Sequence, residues 1–246
     1  MTRFFVDPNQ IDDDIAHLNE ADSHHLRVVL QSSPGDAIQI LDGTGALWDA
    51  VIVSLGKKTA TARLGAQSWP DSEPSTHITI AQALPKMNEK MEQVLQRGTE
   101  IGAAAFRAFS STHSMTHLTG ERQEKRMSRW NAIVKTAAEQ SRRVRLPRVH
   151  ADEALQDVLA SVPRYDLALF AYEHERQTTL KASLSSAAVR PRTILVLVGP
   201  ETGFTTAEAT AARSAGAVSI TLGRRILRTE TAAMVAAAQI LYELEG

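Results

Sequence analysis

The chain has no cysteine among its 246 residues. That absence excludes a disulfide framework, a thiolate-bound zinc and a cysteine nucleophile together. Long apolar runs are missing as well. The opening stretch MTRFFVDPNQIDDD has no core long enough for a signal peptide, and no window approaches the roughly 20 apolar residues of a membrane span. The expected location is cytoplasmic, with no membrane partner. The sequence also lacks G-x-G-x-x-G, G-K-[ST], H-E-x-x-H and G-x-S-x-G, so a classical dinucleotide site, a P-loop, a zinc protease and a hydrolase triad all lose support. The eight histidines show no other metal-ligand spacing. His24, His25, His113 and His117 are expected on the surface or in loops, and no metal is expected.

What remains is an ordinary globular composition, 43% hydrophobic and 22% charged, in a chain long enough for one or two domains. The net charge of −1 conceals an asymmetry. Residues 1–72 hold five Lys and Arg against ten Asp and Glu, whereas the remainder holds 22 against 18. Within that remainder, Glu121–His150 alone carries nine basic and three acidic residues. Such a concentration suits a polyanionic partner, and it equally suits a solvated helix face.

The first 70 residues read as short strands and turns. AIQILDGTGALWDAVIVSL pivots about Asp42-Gly43, KKTATARL follows as another strand, and the whole predicts a small β barrel. SWPDSEPS, Ser68–Ser75, has linker composition. From Thr76 onward strands and helices alternate, which predicts a mostly parallel sheet covered by helices. HITIAQAL, AAFRAF, DLALFAY, TILVLVG and VSITL are the strands. Met87, Met91, Val94, Leu95 and Ile101 mark one helical face that Gly102 terminates. A long basic helix is expected from about Glu121 to Arg142.

Three stretches could carry chemistry. TILVLVGPETGFTTAEATAARSAG is a buried strand, a Gly/Pro loop and a helix, with Thr205 and Glu208 at capping-box spacing and Gly216 at the helix end. A loop between a strand's C-terminal end and a helix is where open α/β sheets bind ligands, although two isolated glycines also suit a plain tight turn. TAAEQSRRVRLPRVH concentrates arginines, whose planar forks bind phosphate. LGRRILRTETAAM sets Arg224, Arg225 and Arg228 before a segment in which ten of the twelve residues from Thr231 to Tyr242 are apolar. Cations just ahead of a helix N-terminus are unfavourable unless an anion or ligand is there. An ion-pair cluster with Glu230 and a set of donors aimed at a ligand are both open, and the apolar helix predicts burial nearly all round, within the domain or against another subunit.

ALPKMNEKMEQVLQRGTEIG, AAEQSRR, VGPETGF and LGRRILRTETA, in this order and spacing, closely resemble the RsmE family. Its members use S-adenosyl-L-methionine to methylate N3 of a uridine in small-subunit (16S) ribosomal RNA. The resemblance spans nearly the whole chain. It implies a SPOUT-type α/β domain with a C-terminal trefoil knot over residues 73–246, preceded by a PUA-like β-barrel RNA-binding domain over 1–72. It also implies a homodimer, no metal, and small-subunit ribosomal RNA as partner, within an assembled 30S particle.

The family's cofactor turns map onto Ala171, Tyr172 and Glu173, then onto Val198, Gly199, Pro200, Glu201 and Gly203, and finally onto Leu222, Gly223, Ile226, Leu227 and Thr229. Arg228 is expected at the reacting centre, with Glu201 or Glu230 orienting donors or acting as base. Arg3, Arg27, Arg142, Arg143 and Arg145 are expected to face RNA. Two features depart from the family pattern: Thr202-Gly203 stands where two glycines are usual, and the N-terminal domain is acidic. A ribose 2′-O enzyme of the same group and a non-catalytic ribosome-assembly protein are the competing readings.

Overall fold

A computed structural model describes residues 1–112, 114 and 120–246. His113 and His117, expected on a polar loop, lie outside the described residues. The chain divides into two compact units, Met1–Glu73 with Ala138–Leu146, and Pro74–Ala137 with Pro147–Gly246.

The first unit contains β1 (Arg3–Phe5), β2 (Ile11–Asp12), β3 (Ile15–Leu18), β4 (Ala37–Leu41), β5 (Leu47–Leu55) and β6 (Ala60–Ser68). They form one sheet in the order β1-β4-β5-β6-β3-β2, antiparallel except for the β1/β4 pair. Alternate residues of these strands, with Leu26 from the turn after α1 (Glu20–His24), build its core. The segment 138–146 belongs here and not with 73–246 as the sequence suggested. Ala138 and Val144 pack with Phe5, Leu41 and Leu47 in a second cluster. The Glu73 carboxylate accepts from the Val144 and Arg145 amides at 2.9 and 3.0 Å.

The second unit carries β7 (His77–Ala83), α2 (Asn88–Ile101), β8 (Ala105–Ser110), α3 (Glu121–Gln140), β9 (Arg148–Ala154), α4 (Leu155–Ala160), β10 (Leu167–Ala171), α5 (Leu180–Ser185), β11 (Thr193–Val198), α6 (Thr206–Ser214), β12 (Val218–Ile220) and α7 (Thr229–Glu245). The last three residues of α3 fall in the first unit. The sheet order is β12-β10-β11-β7-β8-β9, parallel throughout. Strands buried on both faces must be apolar on both, which is why TILVLV and LALF show no alternation. One face packs on α2, α3, α5 and α7, the other on α4 and α6.

The expected stops operate locally. Gly102 takes φ +119° at the end of α2, where an added Cβ would come within 2.8 Å of Pro74 Cγ. Thr205 and Glu208 form the capping box of α6 in both directions. Met87 departs from expectation: it precedes α2 and is exposed. Helix α3 ends two residues before Arg142 because the chain turns back on itself. Arg142 sits at φ +60°, and the Arg143 and Arg142 amides return to Ala138 O and Glu139 O at 2.9 and 3.3 Å. This is a Schellman ending with arginine in the usual place of glycine. Helix α7 is not buried all round: Ala232, Ala233, Ala236, Ala237 and Ile240 face the core, while Thr231, Ala238, Gln239 and Tyr242 are exposed. Among the described residues no helix is long and apolar enough to cross a membrane.

Candidate active site

In a parallel sheet every strand ends at the same edge, so the turns that follow neighbouring strands share one rim. β12, β10 and β11 are neighbours. The residues after them, 171–176, 198–203 and 220–229, therefore meet, and they line a cavity of about 530 Å³, within the roughly 300–1,000 Å³ usual for small-ligand sites. Every residue of the three turns assigned to the cofactor by resemblance is on its wall, as are Glu201 and Arg228. Glu230 is not. It is buried in the first turn of α7, and its Oε2 has no hydrogen-bond partner among the described residues.

The turn after β10 is held by Glu175. Its carboxylate accepts from the Ser219 hydroxyl at 2.7 Å and from the amides of Arg176, Gln177 and Thr178 at 2.9, 2.9 and 3.2 Å. The Ser219 hydrogen bond, then those amides, pull its pKa from an ordinary 4.5 to about 2. Arg176 lines the cavity but donates to the Glu173 and Glu175 carbonyls of its own loop. The turn after β11 needs glycine at 203. The residue has φ +72°, and a Cβ there would run into the Glu173 carboxylate. That close fit joins the first two turns on one wall.

Glu201 Oε1 lies 2.8 Å from Lys90 Nζ, and the Lys86 amide donates to the same carboxylate at 3.2 and 3.3 Å. Burial works to raise the Glu201 pKa, but the Lys90 hydrogen bond and charge with the Lys86 amide outweigh it, so the group lies below its ordinary value. The arginines of the third turn behave differently. Arg224, Arg225 and Arg228 are exposed, and none of their side chains has an ion-pair or hydrogen-bond partner among the described residues. The ion-pair cluster with Glu230 is not formed. Arg225 and Arg228 line the cavity and Arg224 does not.

Sequence reasoning missed Lys90 and Arg176 on the cavity wall. Lys90 and Glu201 are 111 positions apart, and no local pattern marks such a pair. The sequence does mark one further position, Gln82, a single amide within the apolar run ITIAQAL.

The arginines expected to face RNA separate into two groups. Arg27, Arg142 and Arg145 are exposed. Arg3 is half-buried and donates to Gln39 Oε1 and to the Arg142 carbonyl at 3.0 and 2.8 Å. Burial and the neighbouring Arg142 charge lower its pKa. Arg143 is a correction: it is only 5% exposed, with Nη2 2.6 Å from Glu73 Oε2, so it serves the core of the first unit instead of a ligand.

Residues 72–241 match the family model described as an RNA methyltransferase domain, and residues 18–65 match the RNA methyltransferase PUA domain. The chain is 33% identical over 225 residues to Ribosomal RNA small subunit methyltransferase E of Bacillus subtilis, covering 90% of this chain and 88% of that protein. It is 34% identical over 237 residues to the protein of the same name from Mycobacterium tuberculosis, covering 95% and 88%. Among solved structures, the crystal structure of a Ribosomal RNA small subunit methyltransferase E from Neisseria gonorrhoeae bound to S-adenosyl methionine matches with a TM-score of 0.87, 30% identity and coverage of 99% and 98%.

Proposed function

The chain belongs to the RNA methyltransferase family that includes Ribosomal RNA small subunit methyltransferase E, and we propose that it transfers a methyl group from S-adenosylmethionine to N3 of a uridine in small-subunit ribosomal RNA. The observation that carries this reading is the convergence of three turns on one cavity whose wall includes two arginines whose side chains have no partner among the described residues.

The wall suits the cofactor. Val198, Ile220, Leu222, Ile226 and Leu227 offer apolar surface for a nucleobase, and Glu173 is a carboxylate set against the tightest point of the glycine turn. Bound S-adenosylmethionine supplies an activated sulfonium methyl, so the protein's tasks are in-line positioning and loss of the uridine N3 proton. Arg228 approaches the target base and stabilises the negative charge that develops there. Of the two candidate carboxylates, Glu201 has access to the cavity and Glu230 does not. Glu201 is committed to Lys90 as an ion, and it orients that lysine.

The first unit would bind RNA through Arg27, Arg142 and Arg145. The side-by-side cations Arg3 and Arg142 support this, because like charges held together favour an anion between them. The outward face of α7, where Tyr242 with 81% exposure and Ala238 lie beside the half-buried Val235, supports a homodimer that covers it. The proposed substrate is the assembled 30S particle in the cytoplasm, a choice that parallel assays on free ribosomal RNA and on 30S particles resolve.

Nucleoside mass spectrometry of ribosomal RNA from cells with and without the gene tests the activity. N3-methyluridine should disappear with the gene and return with it. A ribose 2′-O-methyl product instead would overturn the N3 assignment, and calorimetry showing no S-adenosylmethionine binding would overturn the methyltransferase itself.

A further inference from the structure

We propose that Gln82 is the positioning residue of the cofactor cavity, joining the turn after β11 to the first turn of α7 through a hydrogen-bond relay. The proposal rests on the reading of that cavity as the S-adenosylmethionine site.

Gln82 is fully buried near the end of β7, in register with Val198 of β11. With alternation along the strand it faces the same side as Ile78 and Ile80, the side covered by α7. Its Nε2 donates to Ala83 O at 3.0 Å and to Thr229 Oγ1 at 2.7 Å, with Gly199 O at 3.4 Å. The Thr229 hydroxyl in turn donates to Gly199 O at 2.5 Å. The direction of the relay is fixed. Two carbonyls beside the amide nitrogen accept only from a donor, so the nitrogen and not the oxygen must face them. Each bond polarises the next in a site closed to water.

The two ends of the relay are walls of the cavity: Gly199 opens one turn and Thr229 closes another. They are 30 residues apart in the chain, and the spacing between their turns sets the width of the cavity. Gln82 itself is not on the wall, so it acts through them.

The other half of the amide explains why a merely structural role is insufficient. Gln82 Oε1 is buried with no hydrogen-bond partner among the described residues. Such an orphan acceptor costs on the order of 1–3 kcal/mol. An aliphatic side chain, like Ile78, Ile80 and Leu84 on the same side, would carry no such penalty. What the amide supplies and an aliphatic side chain cannot is the donor to Thr229 Oγ1 and to the flanking Ala83 and Gly199 carbonyls.

Gln82→Met and Thr229→Val are close in volume and remove one member of the relay each. Hydrogen exchange of the ligand-free protein and calorimetric titration with S-adenosylmethionine read the result. Each variant should speed exchange in residues 199–203 and 229–232, leave the rest of the sheet protected, and weaken cofactor binding about ten-fold or more. The double variant should bind no more weakly than the worse single variant, because both changes break one relay. Unchanged cofactor affinity in folded Gln82→Met, or additive losses in the double variant, would overturn the proposal. Should Gln82→Met fail to fold, Thr229→Val with normal affinity overturns it equally. Wild-type protein that binds no S-adenosylmethionine defeats the underlying reading of the cavity, and it is recognised by that one titration before any variant is made.

Discussion

Two arginine-rich stretches, Arg142–Arg148 and Arg224–Arg228, are hard to tell apart as sequence and differ completely in the fold. In the first, Arg143 is buried against Glu73, Glu139 accepts the Phe5 amide at 3.0 Å, and the Arg142 carbonyl accepts from Arg3. Its part up to Leu146, with Glu139 just ahead of it, is a clasp that completes the core of the first unit, while Arg148 opens β9 of the second. In the second, the Arg225 and Arg228 side chains have no hydrogen-bond or ion-pair partner among the described residues, and both stand on a cavity wall. The lesson is that an arginine cluster is defined by the acceptors that folding brings to it. Acceptors close by make it structural, and their lack leaves cations available to a ligand.

The sharpest way to break the contrast is Arg143→Ala. Removing one partner of a largely buried pair leaves the Glu73 charge with only the Val144 and Arg145 amides, and the first unit should lose about 3 kcal/mol in chemical denaturation, the low end of the cost of breaking a buried pair. A loss below about 1 kcal/mol would mean that the clasp contributes little. Arg228→Ala should do the opposite: methyl transfer falls about ten-fold or more, equivalent to ~1.4 kcal/mol in the barrier, with an unchanged thermal midpoint. Wild-type turnover in that variant would remove Arg228 from the reacting centre.

The exposed members of the first stretch, Arg142 and Arg145, sharpen the comparison. Replacing both by Ala should lower the slope of log affinity for RNA against log salt by about 1.4 to 1.8, at about 0.7 to 0.9 per phosphate contact, without changing cofactor affinity. An unchanged slope takes the patch away from RNA. The smallest effect concerns Glu175. A carboxylate whose pKa falls on folding stabilises the folded state above its unfolded pKa, and loses that contribution as pH drops through the folded one. With an ordinary value of 4.5 and a folded value of about 2, Glu175→Gln should flatten the acid dependence of stability between those limits, lower stability at neutral pH where the ionised carboxylate contributes, and converge with the parent as pH falls towards 2. Superimposable acid-unfolding curves would contradict the hydrogen-bonded cage drawn around it.

Much of the second unit is legible in the sequence because its signals are local. The apolar runs become β7, β10, β11 and β12, Gly102 stops α2, and the Thr205/Glu208 spacing caps α6. The three turns could be grouped only through family motifs, since no periodicity announces that β12 lies beside β10. What stayed hidden is non-local. The burial of Arg143 depends on Glu73, 70 positions away, and Lys90 gains its meaning from Glu201. The end of α3 was misplaced for a related reason: Arg142 occupies a left-handed conformation that sequence rules reserve for glycine. Helix α7 shows the converse, a composition that demands cover on all sides and a fold of one chain that provides it on one.

The membership of Ala138–Leu146 in the first unit has a consequence for how the molecule is made. A chain emerging from the ribosome presents its N-terminal sheet first, with hairpin neighbours already in reach. The clasp that seals Phe5, Leu41 and Leu47 arrives only after β7, α2, β8 and most of α3 have been synthesised. Until then Glu73 has neither Arg143 nor the Val144 amide. The N-terminal unit thus matures late despite its early position, its completion waiting on the same stretch of chain that delivers α3.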